Sequence, residues 1–251
     1  PLLEIEIMSD TIVCPGDSVQ FAAYASGGIP PYYYEWENGV LSESTVWASD
    51  VSRIITVSVR DSCLIMPTLD SVELTIQSPS ASFLPASNRL ETGDVIRFVS
   101  DSEGAIKSFN WDLGNGDTSE EISASTIYID DSVYVVKLVI TDSIGCMDSV
   151  SKEFEIFPPL YLWVPNAFTP NNTDDLNNSF EPKGLGISSY EIYIFSRWGE
   201  QVFYSQDLFD TWKGEFSSGK MAPQGVYVYK IHAKGENGKE IEKIGRVTLV
   251  R

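Results

Sequence analysis

The chain has 251 residues, of which 36 are acidic and 17 are basic, so its formal net charge is −19. Hydrophobic residues make up 43% of the chain, which excludes a wholly disordered protein. The acidic excess excludes nucleic-acid binding, because phosphate contacts need clustered lysine and arginine. No apolar stretch approaches the roughly 18 residues of a membrane-spanning helix, so none is predicted.

The distribution of charge predicts three segments. Residues 1–80 carry 2 basic and 11 acidic side chains, residues 81–157 carry 5 and 14, and residues 158–251 carry 10 and 11. The last segment is nearly neutral beside two strongly acidic ones, which indicates a different role. Because alternating apolar residues and abundant valine, tyrosine and phenylalanine favour strands, we expect an all-β chain of three consecutive β-sandwich domains with these boundaries.

The first two segments resemble one another at an offset near 77 residues, which indicates a repeated module. Gly16-Asp17 corresponds to Gly93-Asp94, and Trp36 corresponds to Trp111. In residues 1–80 the predicted strands are S-V-Q-F-A-A-Y-A, Y-Y-Y-E-W, I-I-T-V-S-V-R and S-V-E-L-T-I. Short strands at this spacing are typical of an immunoglobulin-like sandwich.

The second segment contains F-N-W-D-L-G-N-G-D-T-S and then V-Y-V-V-K-L-V-I-T-D-S-I-G-C. This pair of motifs resembles the PKD domain, and the resemblance covers residues 81–157. Trp111 is expected to anchor the core between two sheets, with Gly114, Asn115 and Gly116 in the turn that follows. The resemblance implies a spacer or adhesion module, and residues 1–80 are expected to be PKD-like or immunoglobulin-like as well.

The three cysteines are Cys14, Cys63 and Cys146. Cys14 and Cys63 flank strands of the same predicted module, so we expect them to form a disulfide that contributes about 4 kcal/mol by loop-closure entropy. Cys146 is expected to be free. The alternative is three free, buried thiols.

The last segment reads W-V-P-N-A-F-T-P-N, Y-E-I-Y-I-F-S-R-W-G-E-Q-V-F, W-K-G, P-Q-G-V-Y-V-Y-K-I and I-G-R-V-T-L-V-R in order. These motifs resemble the gliding-motility-associated, type B C-terminal sorting domain of the type IX secretion system, from about Trp163 to Arg251. Alternation also predicts a hairpin with its turn at Arg197-Trp198-Gly199, and a closing edge strand at Val247 to Arg251. Most of these residues therefore also have a purely structural interpretation.

The resemblance implies that the last segment is a folded secretion signal, recognised by outer-membrane components of the type IX system through a PorP/SprF-like barrel protein. Seven basic and three acidic residues lie between Lys220 and Arg251, which indicates either a docking face or a solvated pair of strands. The residues expected to carry the signal or bind the partner are Phe168, Thr169, Pro170, Asn171, Arg197, Trp198, Gly199, Trp212, Gly214, Tyr227, Tyr229, Lys230, Lys234, Lys239, Lys243, Arg246 and Arg251.

No cofactor is expected, although the loop after Pro170 contains oxygen ligands of the type that calcium prefers. Asp174, Asp175 and Asn177 are weak calcium candidates, because their spacing fits no EF-hand and the family's Gly-Asp-Gly element is replaced here. Turns in which Asn and Asp side chains bond to the backbone explain the same cluster without a metal.

Catalysis is not expected from this chain. His232 is its only histidine, it lies on a predicted strand, and no G-x-S-x-G motif is present. We therefore expect the C-terminal region of a large secreted cell-surface protein, with two spacer or adhesion modules before the sorting domain. The alternatives are the non-catalytic tail of a secreted hydrolase and a purely adhesive array of modules.

Overall fold

The computed structural model describes residues 2–7, 10–63, 66–170 and 177–251. Within these residues the chain forms strands and no helix, so the predicted all-β fold is confirmed. A search of the same residues for a helix long and apolar enough to cross a membrane finds none.

Seven strands form the first part of the chain. They are β1 (Glu4–Ile7), β2 (Thr11–Val13), β3 (Ser18–Ser26), β4 (Tyr33–Trp36), β5 (Ser44–Ala48), β6 (Arg53–Arg60) and β7 (Thr68–Ile76). One sheet has the order β1-β3-β5 and the other the order β2-β7-β6-β4. Between them lies a core that includes Phe21, Trp36, Ile55 and Leu74. All four strands predicted from residues 1–80 are present.

The next seven strands carry the PKD-like motifs. They are β8 (Phe83–Pro85), β9 (Val95–Ser100), β10 (Ile106–Asp112), β11 (Thr118–Ser119), β12 (Ser123–Ile127), β13 (Val133–Asp142) and β14 (Met147–Glu155). Their sheets have the orders β11-β10-β13-β14 and β12-β9-β8. Trp111 is fully buried against Phe83, with ring centroids 5.1 Å apart, so its predicted role as core anchor is confirmed.

The last seven strands belong to residues 158–251. They are β15 (Tyr161–Trp163), β16 (Ala167–Phe168), β17 (Lys183–Leu185), β18 (Ile187–Phe195), β19 (Gln201–Ser205), β20 (Gly225–Gly235) and β21 (Glu240–Leu249). A five-stranded sheet has the order β16-β21-β20-β18-β19, and β15 pairs with β17. The β18–β19 hairpin is confirmed.

The predicted closing edge at Val247 to Arg251 is wrong in two respects. The last strand begins at Glu240, and its end is not an edge, because β16 pairs in parallel with it at Thr248 and Leu249. The physical reason is that the buried face of β21 continues across β16, where Phe168 is also buried. The two ends of the last segment therefore meet in one sheet.

The chain divides into two compact units. One comprises Pro1–Pro85, Phe98–Ala124 and Val136–Lys152, and the other comprises Ala86–Arg97, Ser125–Val135 and Glu153–Arg251. The division into domains at residues 1–80, 81–157 and 158–251 stays a prediction.

The predicted bond between Cys14 and Cys63 is wrong. The disulfide joins Cys14 to Cys146, whose Cα atoms are 5.3 Å apart, and Cys63 is a free, exposed thiol. Asp142 holds the loop before Cys146, because its Oδ1 accepts three successive backbone N–H groups ending with that of Cys146. Its Oδ2 accepts a hydrogen bond from Gln77 Nε2 at 2.7 Å. The loop is thus fixed beside Cys14, which a prediction confined to one repeat could not foresee.

Candidate functional site

Several residues of the sorting motifs form the core of the last segment. Phe168, Phe180, Trp212, Tyr227 and Tyr229 are all buried. Ring centroids lie 5.2 Å apart for Phe168 and Trp212, 4.8 Å for Trp212 and Tyr227, and 5.6 Å for Phe180 and Tyr229. Because their rings are almost entirely removed from solvent, these residues determine the fold.

The first motif of the segment is tied to its last strand. Phe168 pairs with Leu249, and the N–H of Thr169 donates to the carbonyl of Asn177 at 2.8 Å. Pro170 is buried beside them. Residues that are about 80 positions apart in the sequence are therefore neighbours in the sheet, so the motifs form one folded assembly.

The end of the chain also packs on this assembly. Arg251 Nη2 donates to the carbonyl of Gly214 at 3.4 Å. A Cβ on Gly214 would lie 2.4 Å from Leu249 Cδ1, so this glycine allows the loop to approach the last strand closely. The structure thus brings the W-K-G motif and the terminal motif together.

The turn between β18 and β19 presents the most exposed tryptophan. Trp198 is 82% exposed, and the Arg197 guanidinium lies 5.1 Å from the centre of its ring. The turn is closed by hydrogen bonds from the N–H of Ser196 to the carbonyl of Glu200 and from the N–H of Gly199 to the carbonyl of Ser196. Gly199 has φ +83, a conformation that favours glycine. The backbone therefore holds Trp198 outward in a defined turn.

A cleft of about 140 Å³ opens beside Trp198. Its lining includes Phe216, Pro223, Val226 and Tyr227, which are contributed by the loop before β20 and by the start of that strand. The Tyr227 hydroxyl donates to the carbonyl of Pro223 at 2.7 Å. The combination of an exposed indole and an adjoining cleft with both apolar and polar walls is suited to contact with a protein side chain.

The exposed lysines of β20 form ion pairs with β21. Lys230 Nζ lies 3.1 Å from Glu242 Oε1, and Lys234 Nζ lies 3.6 Å from Glu240 Oε1. His232 lies between them on the same strand, with Nε2 3.6 Å from Glu240 Oε2. Lys230 and Lys234 therefore have acidic neighbours on their own sheet, which reduces the positive potential that these two lysines present.

The remaining basic candidates lie in different places. Lys243 is half-buried between the exposed Glu242 and Ile244. Strand alternation therefore directs it to the face of the sheet opposite to that of Lys230 and Lys234. Arg246 is exposed on β21. Lys239 lies in the turn after β20 and forms an ion pair with Glu91. Lys230, Lys234, Lys239 and Lys243, which are among the candidates for the docking face, thus do not lie on one face of the sheet.

Glu91 makes a buried structural contact that sequence reasoning missed. Its side chain is 2% exposed, and it accepts hydrogen bonds from Asn237 Nδ2 at 2.7 Å, from Lys239 Nζ and from Arg89 Nε at 2.9 Å. Burial raises the pKa of the Glu91 carboxyl, but the hydrogen bonds from Lys239 and Arg89 outweigh burial and hold that pKa below its ordinary value. No local signal identifies Glu91, because two of its three partners are 146 and 148 positions away.

The Glu91 contact and the exposed tryptophan lie at opposite ends of the large sheet. β18 and β20 are antiparallel, with Ile187 opposite Gly235 and Phe195 opposite Val228. The turn at residues 235–239 therefore lies at the end of the sheet where β20 ends and β18 begins. The turn at residues 196–200 lies at the other end, where β18 ends and β20 begins.

Among the described residues, the calcium candidates form no cluster of metal-binding side chains. Asp174 and Asp175 lie outside the described residues, as does the signal candidate Asn171, and Asn177 is described with φ 55. Among residues 2–7, 10–63, 66–170 and 177–251, no group of three or more His, Cys, Asp or Glu side chains is placed to hold a metal ion. The calcium interpretation gains no support from the described part.

Two family comparisons match consecutive parts of the chain. Residues 77–157 match the PKD domain, and residues 162–249 match the CHU_C type IX secretion signal domain. Both families are non-catalytic modules. The second match begins within β15 and ends at the last residue of β21, so it covers the whole five-stranded sheet.

Comparison with curated proteins finds matches to small parts of two longer proteins. The chain is 36% identical to "Collagenase ColA" of Clostridium perfringens over 96 residues, which are 37% of this chain and 9% of that protein. It is 38% identical to "Pre-pro-metalloprotease PrtV" of Vibrio cholerae over 60 residues, which are 24% of this chain and 6% of that protein. The chain thus spans less than a tenth of the length of these relatives.

A solved structure, the crystal structure of the PKD1 domain of Vibrio anguillarum Epp, is 28% identical and covers 33% of this chain and 98% of its own, with a TM-score of 0.30. The two family matches, in contrast, place both sets of motifs in the expected order. The chain therefore contains a PKD domain followed by a type IX secretion signal domain, an arrangement that fits the tail of a secreted surface protein.

Proposed function

We propose that residues 158–251 act as a folded sorting signal that directs a larger protein through the outer membrane to the cell surface. Residues 1–157 are spacer or adhesion modules that hold the preceding part of that protein away from the surface. The observation that carries the proposal is the match of residues 162–249 to the type IX secretion signal domain.

The contacts within the last segment support a signal that is read as a surface and not as a linear tag. Phe168 pairs with Leu249, Trp212 packs on Phe168, and Arg251 bonds to Gly214. These residues come from separate motifs and meet only when the sheet forms. A receptor that binds the surface built on these contacts must therefore bind the folded domain.

The partner proposed for this surface is an outer-membrane component of the type IX system, a PorP/SprF-like barrel protein. Its proposed contacts are the exposed members of the signal set, among them Trp198, which is 82% exposed. The buried members, such as Trp212 and Tyr229, act by maintaining the fold. Calcium is not required in this proposal.

Secretion of a reporter tests the proposal. The complete 251-residue chain is fused to a periplasm-targeted fluorescent reporter in a bacterium with a type IX system and in an isogenic strain that lacks the barrel protein. We expect surface fluorescence only in the first strain. Deletion of Gly245 to Arg251 removes the β16–β21 pairing and should leave the reporter in the periplasm. Equal surface fluorescence in both strains would contradict the proposal.

A second candidate function is the non-catalytic tail of a secreted hydrolase. It is favoured by the identity with the collagenase and the metalloprotease named above, which spans at most 37% of this chain. This candidate concerns the part of the protein outside these 251 residues and is compatible with the sorting role. Sequencing the coding region that precedes residue 1 tests this candidate, because a hydrolase domain would be read directly.

A further inference from the structure

We propose that the Trp198 turn, residues 196–200, together with the cleft beside it, is the end of the sorting domain that contacts the secretion machinery. Its occupant is an acidic segment of a protein partner that inserts one apolar side chain into the cleft. This inference rests on the proposed function and adds to it which end of the domain is engaged and by what chemistry.

The first argument is that the other end of the sheet is already occupied. In the turn at residues 235–239, Asn237 and Lys239 bind the buried carboxylate of Glu91. Glu91 belongs to the PKD match, so this turn is joined to the preceding module. The Trp198 turn lies at the opposite end of β18 and β20. It is therefore the end of the domain that remains available to an incoming receptor.

The second argument is the exposure of an aromatic side chain in a fixed turn. Trp36, Trp111 and Trp212 are at most 2% exposed, whereas Trp198 is 82% exposed. Exposing an indole gives up the hydrophobic stabilisation that its burial would provide. Tryptophan and arginine are also the residues most enriched among those that dominate binding energy at protein interfaces. The Arg197–Trp198 pair therefore has the composition of a contact surface.

The third argument is the size and lining of the cleft. Its volume of about 140 Å³ is suited to one side chain, and Phe216, Pro223 and Val226 supply apolar walls. Val226 is 51% exposed, so this wall is open to a partner. An apolar side chain that enters here would lose its contact with water and would also cover Trp198.

The fourth argument is charge. Burial raises the pKa of the Tyr227 phenol. Arg251 and Arg197 lie close enough for their positive charges to oppose this effect, because they favour the ionised phenol. Glu200 is the acidic residue of the cleft, so these three side chains carry a net charge of +1. The whole chain carries −19. An acidic partner segment is therefore repelled by most of the molecule and attracted to this end, which fixes the orientation of approach.

The secretion assay described above tests the inference with two charge-matched variants. One combines Arg197→Glu with Arg251→Glu, and the control combines Lys107→Glu with Lys137→Glu, two exposed lysines of the PKD match. We expect the first variant to lower the rate of surface appearance about tenfold and the control to leave it unchanged. Trp198→Ser is an independent variant that changes no charge, and its expected loss is similar.

The melting temperature of each purified variant is measured first, because only a variant that melts like the wild type reports on docking. Should Arg251→Glu disturb the fold, Arg197→Glu with Trp198→Ser replaces the double reversal. Equal secretion of the wild type and all folded variants would overturn this inference and leave the proposed function intact. A wild-type chain that stays in the periplasm would overturn the proposed function itself.

Direct binding identifies the class of partner. The purified 251-residue chain is titrated onto outer-membrane fragments from the competent strain, onto fragments lacking the barrel protein and onto phosphatidylglycerol vesicles, at low and high salt. We expect binding only to the first, weakened by salt and by the reversal at Arg197 and Arg251. Equal binding to the vesicles would assign the site to anionic lipid and overturn the protein partner.

Discussion

Replacing Glu91 by glutamine tests whether the buried carboxylate stabilises the compact unit that contains both Glu91 and the turn at residues 235–239. The substitution keeps the shape of the side chain but removes its charge. One oxygen becomes an NH₂ group, which cannot accept a hydrogen bond. Arg89 donates to Oε2, while Asn237 and Lys239 donate to Oε1, so either orientation of the amide leaves at least one donor facing another donor.

The expected loss of stability depends on two facts. The Glu91 carboxylate is buried, and its two basic partners are accessible to solvent. A hydrogen bond to a charged group contributes about 1.5–3 kcal/mol. Breaking a buried ion pair costs about 3–5 kcal/mol when the remaining charge stays buried. Arg89 and Lys239 are 55% and 47% exposed, so water solvates them after the change and the larger range does not apply. We therefore expect a loss of about 2 kcal/mol in the free energy of unfolding.

Thermal and urea denaturation measure this loss. For a unit of this size, about 2 kcal/mol corresponds to a decrease in Tm of roughly 6–12 °C. Glu181→Gln is the matched control, because it makes the same chemical change at an exposed position. Lys239→Met and the double variant complete a mutant cycle, in which we expect a coupling energy above about 0.5 kcal/mol. If Glu91→Gln melts like Glu181→Gln, the contact does not stabilise the unit and this reasoning fails.

The same comparison at low pH tests the sign of the electrostatic effect. The pKa of Glu91 lies below its ordinary value of 4.5, because Lys239 and Arg89 outweigh the opposing effect of burial. The native state therefore binds fewer protons than the unfolded state in this range, and the stabilisation is present in full above the unfolded-state pKa. We expect the difference between wild type and Glu91→Gln to stay constant down to about pH 5 and to shrink as the pH falls further. A difference that grows in acid would contradict this sign.

Three further predictions concern the interior and the cross-link. Peptide mass spectrometry without reduction should recover Cys14 linked to Cys146, and the recovery of both as free thiols would contradict the corrected pairing. Gly245→Ala should destabilise the sorting domain by about 1–3 kcal/mol, measured by urea denaturation, because the new Cβ would lie 2.2 Å from the Tyr229 hydroxyl oxygen. Tyr190→Phe should leave Tm unchanged or raise it slightly, because the buried Tyr190 hydroxyl has no hydrogen-bond partner among the described residues; a loss above about 1 kcal/mol would indicate that it has one.

Features that depend on local alternation could be predicted from the sequence. The Y-E-I-Y-I-F motif gives a strand, because Tyr190, Ile192 and Ile194 face the core while the residues between them do not. The S-R-W-G-E motif gives a turn, because Gly199 adopts the positive φ that the chain reversal needs. Neighbouring residues determine both features, so the pattern alone is sufficient.

Features that depend on pairing between distant residues could not be predicted. The basic residues near the end of the chain look like a positive face when they are counted along the sequence. In the structure, Lys230 has Glu242 beside it and Lys239 binds Glu91. The register of β20 against β21 and the position of the 235–239 turn determine these partners, and neither is encoded in the local spacing of the lysines. The same limitation explains why the exposed Trp198 and the buried Trp212 look alike in sequence.

The Cys14 correction and the Glu91 contact have a common physical origin. The internal repeat aligns the residues that build each core, such as Trp36 and Trp111, because every module must bury the same kind of surface. The contacts of Cys14 and Glu91 with distant residues each occur once in the chain, so the alignment of the two repeats gives no information about them. Cys14 bonds a residue 132 positions away, and Glu91 binds one 148 positions away. The repeat alignment therefore predicts core residues such as Trp36 and Trp111, but not contacts such as those of Cys14 and Glu91, whose partners are distant in the sequence.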